Sequence, residues 1–267
     1  MATSARDAAR RKHHEEPTLN RSLERGVEIL RAFRPGADLL GNGELCERTG
    51  LSRATVSRLT QTLVQCGLLE HDLQRRAYRL AAPVLSFAHA MRSGSPVLQA
   101  AAPLMRTAAE KLRVNVGLAV ADREEMVYLE SIRYNRKVSL RSVVAGQRVP
   151  IELTSLGRAY LCAVPDAQRR ALLLRLGRQR RSGWRALREE ILQAVQLFAR
   201  KGYCVATWQP EVVALARPVV APGGAIYVLN MSVTTQQSAS EIEAELSTPL
   251  KALAERISQA LWRMEVS

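Results

Sequence analysis

The run Glu44–Gly67, ELCERTGLSRATVSRLTQTLVQCG, leaves this chain few choices of fold. Two short helical patterns meet there at a glycine. The first fits a helix over Gly43–Thr49 with Leu45 and Cys46 turned inward. Gly50-Leu51 then make a turn, where glycine adopts backbone conformations that a Cβ disfavours. Ser52 suits the start of a second helix, since its hydroxyl can accept a backbone N–H left without a partner. In that helix Val56, Leu59 and Leu63 recur at steps of three and four and form one buried stripe, and Gly67 ends it. An earlier helix is predicted from Leu23, Val27, Leu30 and Phe33, stopped by Pro35-Gly36. Beyond Gly67, two short strands are predicted at Leu68–His71 and Ala77–Leu80, around a polar, basic turn containing Asp72, Gln74, Arg75 and Arg76. Three helices followed by a β-hairpin predict a winged helix-turn-helix over residues 20–82.

That arrangement points to double-stranded DNA as a partner. In a helix-turn-helix the second helix enters the major groove by its N-terminal end. Small or polar residues allow close approach there, and basic ones reach phosphates and guanine edges. With Val56, Leu59 and Leu63 inward, Arg53, Ser57, Arg58 and Gln61 face outward, and Ser52 and Thr55 lie near the boundary. Arg75 and Arg76 in the wing are placed to reach a flanking backbone or the minor groove. The net charge of +14 favours a polyanion partner. Much of that excess, however, lies in Arg169–Arg188, outside the DNA-reading region, where it reads as a solvated arginine-rich face.

The flanks complete the division of the chain. Residues 1–19 are charged and poor in large apolar side chains, so a disordered tail is expected. Residues 83–96 read as a linker helix, with Val84, Phe87, Ala88 and Met91 on one side, and a hinge at Arg92–Pro96. From 97 to 267 helices and strands alternate. Strands are predicted at Asn115–Ala121, Glu125–Ser131, Val138–Val144, Tyr203–Thr207, Val212–Val220 and Ala225–Val233, the last two joined by Pro222-Gly223-Gly224. Helices are predicted at Val97–Leu112, Ser155–Ala163, Asp166–Leu176 and Trp184–Lys201. A last helical region carries Ile242, Leu246, Leu250, Leu253, Ile257 and Leu261, and Pro249 should kink or restart it. Strands flanked by helices at both ends indicate an α+β domain with a curved antiparallel sheet.

Other classes find little support. G-x-S-x-G, P-loop, H-E-x-x-H and G-x-G-x-x-G signatures are absent. His13, His14, His71 and His89 all precede the second domain, so none is placed to activate Cys162 or Cys204, and an enzyme is not expected. The four cysteines have neither metal-finger nor disulfide-framework spacing, and each reads as a small core residue; no metal or cofactor is expected. The charged N-terminus and the lack of a long apolar run predict a cytoplasmic chain without a membrane span. A structural nucleoid-type protein would account for the charge but leave the second domain without a role.

The stretches SLERGVEILRAF (Ser22–Phe33), RTGLSRATVSRLTQTLVQCGLL (Arg48–Leu69), YRLAAPVLSFAHAM (Tyr78–Met91), VAGQRVPIELTSLGRAYL (Val144–Leu161) and KGYCVATWQPEVVALARPV (Lys201–Val219) resemble, in this order, the IclR-type family of transcriptional regulators. The resemblance implies a GAF-like effector domain, homodimers or dimers of dimers, and small organic-acid effectors, aromatic carboxylates included. It also implies a pocket. Ser155, Leu156 and Gly157 begin a helix whose free N–H groups suit an anion, and Gly157 is expected to let a ligand approach closely. Asn230 and Ser232 share one strand face and fall where the family carries two pocket hydroxyls; Asn230 departs from the usual serine. Leu118, Val120 and Ala214 are expected to supply apolar walls, Ala214 at a position matching a family pocket residue. Glu211, where the family often has glycine, would repel an anion unless it turns outward or pairs with a base.

Overall fold

The computed structural model describes residues 20–134, 143–180 and 182–266. The expected tail, 1–19, and most of the strand expected at Val138–Val144 lie outside the described residues. The chain forms two compact units, divided between Leu85 and Ser86.

In the first unit, Asn20 caps α1 (Arg21–Ala32) by accepting the N–H groups of Ser22 and Leu23 at 3.1 and 3.2 Å. Glu44, three residues into α2 (Asn42–Thr49), accepts the Gly41 N–H at 2.9 Å. Gly50 then turns the chain at φ +69°, and Ser52 caps α3 (Arg53–Gln65). Val56, Leu59 and Leu63 join Ile29, Phe33, Leu40 and Leu45 in one core. Two residues named β1 (Leu40–Gly41) pair with β3 (Ala77–Leu80), which pairs in turn with β2 (Leu69–Asp72). The hairpin is thus the outer part of a three-stranded sheet. Across it His71 stacks on its register partner Tyr78, centroids 4.7 Å apart.

The connecting helix α4 (Pro83–Ser93) buries none of its residues, and Leu85, Phe87 and Met91 are 74, 63 and 51% exposed. At its end Arg92 binds the Leu129 carbonyl and, at 2.7 Å, the Glu130 carboxylate.

The second unit is built on a six-stranded antiparallel sheet. Its strands are β4 (Asn115–Asp122), β5 (Glu125–Ile132), β6 (Arg148–Pro150), β7 (Cys204–Ala206), β8 (Val212–Val220) and β9 (Ile226–Thr234), in the spatial order β6-β5-β4-β9-β8-β7. Alternating side chains divide between two layers, as the strand period of two requires. Val116, Leu118, Leu215, Leu229 and Met231 pack with α5 (Pro96–Leu112) and α9 (Ala239–Val266). Ala119, Tyr128, Ala216 and Val228 pack on the other face with α6 (Ser155–Ala163), α7 (Asp166–Gln179) and α8 (Trp184–Lys201). This is the α+β architecture with an antiparallel sheet that the helix–strand pattern predicts.

Of the two expected effects of Pro249, a restart does not occur: α9 runs on through it. A helix-interior proline costs ~3 kcal/mol. Ile242, Leu246, Leu250, Leu253, Ile257 and Leu261 are all buried along α9. At ~1.5–3 kcal/mol for each buried aliphatic side chain, their packing exceeds that cost.

Candidate functional site

Two places carry the chemistry, one in each unit. In the first, the start of α3 is presented by its cap. Ser52 Oγ lies 3.0 Å from Thr55 Oγ1 and 3.4 Å from the Thr55 N–H it caps. Thr60, buried on the opposite side, satisfies its hydroxyl on the Val56 and Ser57 carbonyls. Arg53, Arg58 and Gln61 are exposed, and Thr55 and Ser57 half-buried. The face expected to be polar is therefore open to solvent at its N-terminal end. In the wing, Asp72 organises the turn. It accepts the N–H groups of Gln74 and Arg75 at 3.1 and 3.0 Å and pairs with Arg75 at 3.2 Å and Arg79 at 2.7 Å. The Arg75 N–H bond, with the two guanidinium groups, holds the Asp72 carboxyl below its ordinary range. Arg75 is thereby tied back to Asp72, while Arg76, at φ +50°, is exposed at the turn.

In the second unit a cavity of about 280 Å³ opens on the sheet face that carries Asn230 and Ser232, both of which line it. Its floor depends on an omission. Tyr128 on β5 and Asn230 on β9 are separated by β4, so two strand spacings, roughly 10 Å, lie between their backbones. Their side chains nevertheless meet, Asn230 Nδ2 donating to Tyr128 Oη at 3.4 Å. They meet over Gly117, the β4 partner of Asn230, where a Cβ would lie 2.5 Å from both Asn230 Oδ1 and Tyr128 Cε1. Asn230 Oδ1 is buried with no hydrogen-bond partner.

Burial pushes the Tyr128 phenol up to about 12, against the opposing effect of its bond to Asn230. It is thus a neutral donor throughout the ordinary range. Above the free phenol value of 10.0, an unfolded chain loses this proton while the folded chain keeps it. Stability should therefore fall as pH rises from 10 towards 12. Ultraviolet titration of the native protein should contain two tyrosines near 12, Tyr128 and Tyr203, and Tyr128→Phe should halve that component. An unchanged alkaline limb in that variant would refute the assignment.

Other expected pocket residues are dispersed. Ala214, opposite Ser232 on β8, shares its face. Leu118 belongs instead to the core under α5 and α9. It alternates with Gly117 and so points away from the cavity, as does Val120 two residues on. Ser155, Leu156 and Gly157 are buried and do not line the cavity. The Gly157 N–H is taken by the Thr154 hydroxyl at 3.1 Å. A Cβ on Gly157 would lie 2.0 Å from the Ile151 carbonyl oxygen, so the close approach it permits is to backbone rather than to a ligand. Glu211 lines the cavity mouth at φ +59°, exposed, with Oε1 held by Gln236 Nε2 at 2.8 Å. Asn115, Gly117, Tyr128, Ser131 and Arg133 also line the cavity, and no local sequence signal marks them. Only the β5–β4–β9 register, a long-range property, brings them together. Among the described residues no cluster of His, Cys, Asp or Glu is suited to a metal ion, and no helix is long and apolar enough to cross a membrane.

A capped, solvent-facing α3 beside a basic wing, followed by a separate α+β unit, defines a transcriptional regulator of the helix-turn-helix class. The chain belongs to the IclR family: the IclR helix-turn-helix domain matches residues 22–73, and the bacterial transcriptional regulator IclR C-terminal domain matches residues 89–259. The HTH-type transcriptional regulator TsaQ1/TsaQ2 of Comamonas testosteroni is 36% identical over 188 residues, which are 69% of this chain and 66% of that protein's length. Among solved structures, an IclR family transcriptional regulator from Brucella abortus superposes with a TM-score of 0.83 at 32% identity, covering 93% of this chain and 95% of that one. An IclR homologue from Microbacterium hydrocarbonoxydans, complexed with 4-hydroxybenzoate, has the same fold, with a TM-score of 0.65 at 24% identity, covering 91% of this chain and 99% of that one.

Proposed function

We propose that this regulator binds a specific DNA operator as a homodimer or dimer of dimers, and that a small hydroxylated organic acid in the β4–β9 cavity modulates that binding. The observation that carries the effector reading is the unpartnered Asn230 Oδ1 in a buried floor. Leaving such a group unmatched costs ~1–3 kcal/mol, which a ligand that satisfies it would recover. The Asn230–Tyr128 pair presents one acceptor and one donor side by side, and a ligand hydroxyl satisfies both. Ser131 and Ser232 extend the polar lining, and Arg133, which lines the same cavity, supplies positive charge for a carboxylate. Gln236 fixes the position of the Glu211 carboxylate in the cavity lining. The volume is near the lower end of ligand pockets, roughly 300–1,000 Å³, and suits a single ring or a short chain. The complexed Microbacterium homologue supports an aromatic hydroxy acid. For DNA, Ser52, Arg53, Thr55, Ser57, Arg58 and Gln61 read the major groove, and Arg75 and Arg76 reach a flanking backbone or the minor groove. The exposed apolar side of α4 is a surface for a second copy.

Calorimetry with 4-hydroxybenzoate and benzoate tests the polarity of the site. The hydroxy acid should bind at least about tenfold more tightly, because benzoate leaves the buried pair unsatisfied. Asn230→Leu should erase that difference, and Ser232→Ala should weaken both acids. Equal affinities in the wild type would remove the hydroxyl requirement. Binding by neither these nor aliphatic hydroxy acids would remove the effector site. Light scattering of the same samples should give a dimer or tetramer, and a stable monomer at micromolar concentration would overturn the assembly.

A further inference from the structure

Two cysteines that are 42 residues apart in sequence converge in the second unit. Cys162 on α6 and Cys204 on β7 have their sulfurs 3.6 Å apart. The sheet register explains the placement. Gly117, Asn230, Ala216 and Cys204 are successive partners across β4, β9, β8 and β7. Cys204 therefore ends the row that begins at the cavity floor, on the face that α6 covers. Residues between Cys162 and Cys204 form α7 and α8, so a link between the thiols would close a loop containing both helices.

We propose that Cys162 and Cys204 are a redox-active dithiol that hydroperoxides oxidise to an intramolecular disulfide. The two thiols are not equivalent. Cys162 is half-buried and Cys204 buried. The hydrogen bond from Cys204, together with the Arg169 guanidinium, holds the Cys162 thiol below its ordinary value despite its burial. That same bond and burial push Cys204 up, so Cys204 retains the shared proton. Cys162 is then the attacking sulfur, because the thiolate is the nucleophile. Cys162, only half-buried, is itself open to a small oxidant, while Cys204 lines a groove of about 220 Å³ that includes Arg158, Lys201 and Glu243.

The chemistry balances with the peroxide as oxidant. The Cys162 thiolate attacks one peroxide oxygen; an S–O bond forms, the O–O bond breaks, and the departing hydroxide takes a proton to leave as water. Cys204 sulfur then attacks the sulfenic sulfur of Cys162. The S–S bond forms, the S–O bond breaks, and the second hydroxide takes the Cys204 proton. Two thiols and one hydrogen peroxide give one disulfide and two waters; an organic hydroperoxide gives one alcohol and one water instead. The sulfurs need to approach by only about 1.6 Å to reach the bonded distance of ~2.05 Å. The product staples α6 to the edge strand β7.

The test uses the full chain with one equivalent of hydrogen peroxide, denaturing alkylation, and peptide mass spectrometry. Of the four cysteines, Cys162 and Cys204 should become unavailable to alkylation, with one linked peptide two mass units lighter than the sum of its halves, reversed by dithiothreitol. Melting temperature should rise on oxidation, because the closed loop restricts the unfolded chain. In Cys204→Ser, Cys162 should stop at a sulfenic acid that dimedone traps. In Cys162→Ser, Cys204 should stay reduced. The proposal is overturned if wild-type Cys204 stays fully alkylatable while Cys162 advances to sulfinic acid, or if the exposed Cys66 is oxidised while both pair members stay free. The wild-type measurement decides the matter even if a variant fails to fold.

Discussion

Replacing Arg53 and Arg58 together with alanine should weaken operator binding by roughly 2–6 kcal/mol, about 30-fold to more than 10,000-fold in Kd. Each guanidinium that reaches a base edge contributes ~1–3 kcal/mol, and the two project from successive turns of α3, so their losses should largely add. Both side chains are exposed, and exposed substitutions of this kind usually change stability by no more than about 0.5 kcal/mol. The variant should therefore melt like the parent. The probe is a duplex selected from random sequence by the wild-type protein, followed by gel shift over a range of salt. If either arginine contacts phosphate instead, the loss will be uniform across sequences and the salt slope will fall by about one for that residue. Footprints of equal strength for the parent and the double variant would mean that α3 is not the reading helix.

The second large effect is on stability. Gly157→Ala should destabilise the chain by about 3 kcal/mol or more, at the upper end of overpacking costs. The new methyl would lie 2.0 Å from the Ile151 carbonyl oxygen, 2.3 Å from its Cα and 2.4 Å from its carbonyl carbon. None of these atoms can rotate aside, so α6 must lift from the segment that follows β6. Gly43→Ala is the matched control. It lies in the first turn of α2 with nothing within 4 Å of the new Cβ, and should leave stability unchanged or slightly raised. Urea unfolding of both variants decides the point. A Gly157→Ala unfolding free energy within about 1 kcal/mol of wild type would refute the close-packing account.

Local signals were the legible ones. Gly50, the Ser52 cap and the Val56–Leu59–Leu63 stripe each report on a few neighbouring residues, and α2 and α3 form where those signals lie. Strand β1 carries no such signal: two residues become a strand only because Tyr78 and Ala77 lie beside them. The same holds for β6, three residues that pair with β5. At the candidate site, the period of two on β9 correctly put Asn230 and Ser232 on one face. It did not say which residues of β4 and β5 would join them, and Leu118 was assigned to the wrong side of the sheet by one residue. Gly157 was readable as a place of close approach but not for what approaches. Cys162 and Cys204 looked isolated because their meeting depends on α6 lying over a sheet edge 42 residues later.

Tyr128 is tied at both ends. Its hydroxyl is bonded to Asn230 across the gap at Gly117, while its backbone N–H donates to the Gln147 carbonyl at 2.9 Å and its carbonyl accepts the Gly146 N–H at 2.8 Å. A sheet usually passes force between alternate strands through the strand in the middle. Here the missing Cβ lets one side chain act as a strut that bypasses β4. The cavity floor is therefore tied to the bend at Gly146-Gln147, which leads into β6, by a tyrosine ring as well as by the backbone.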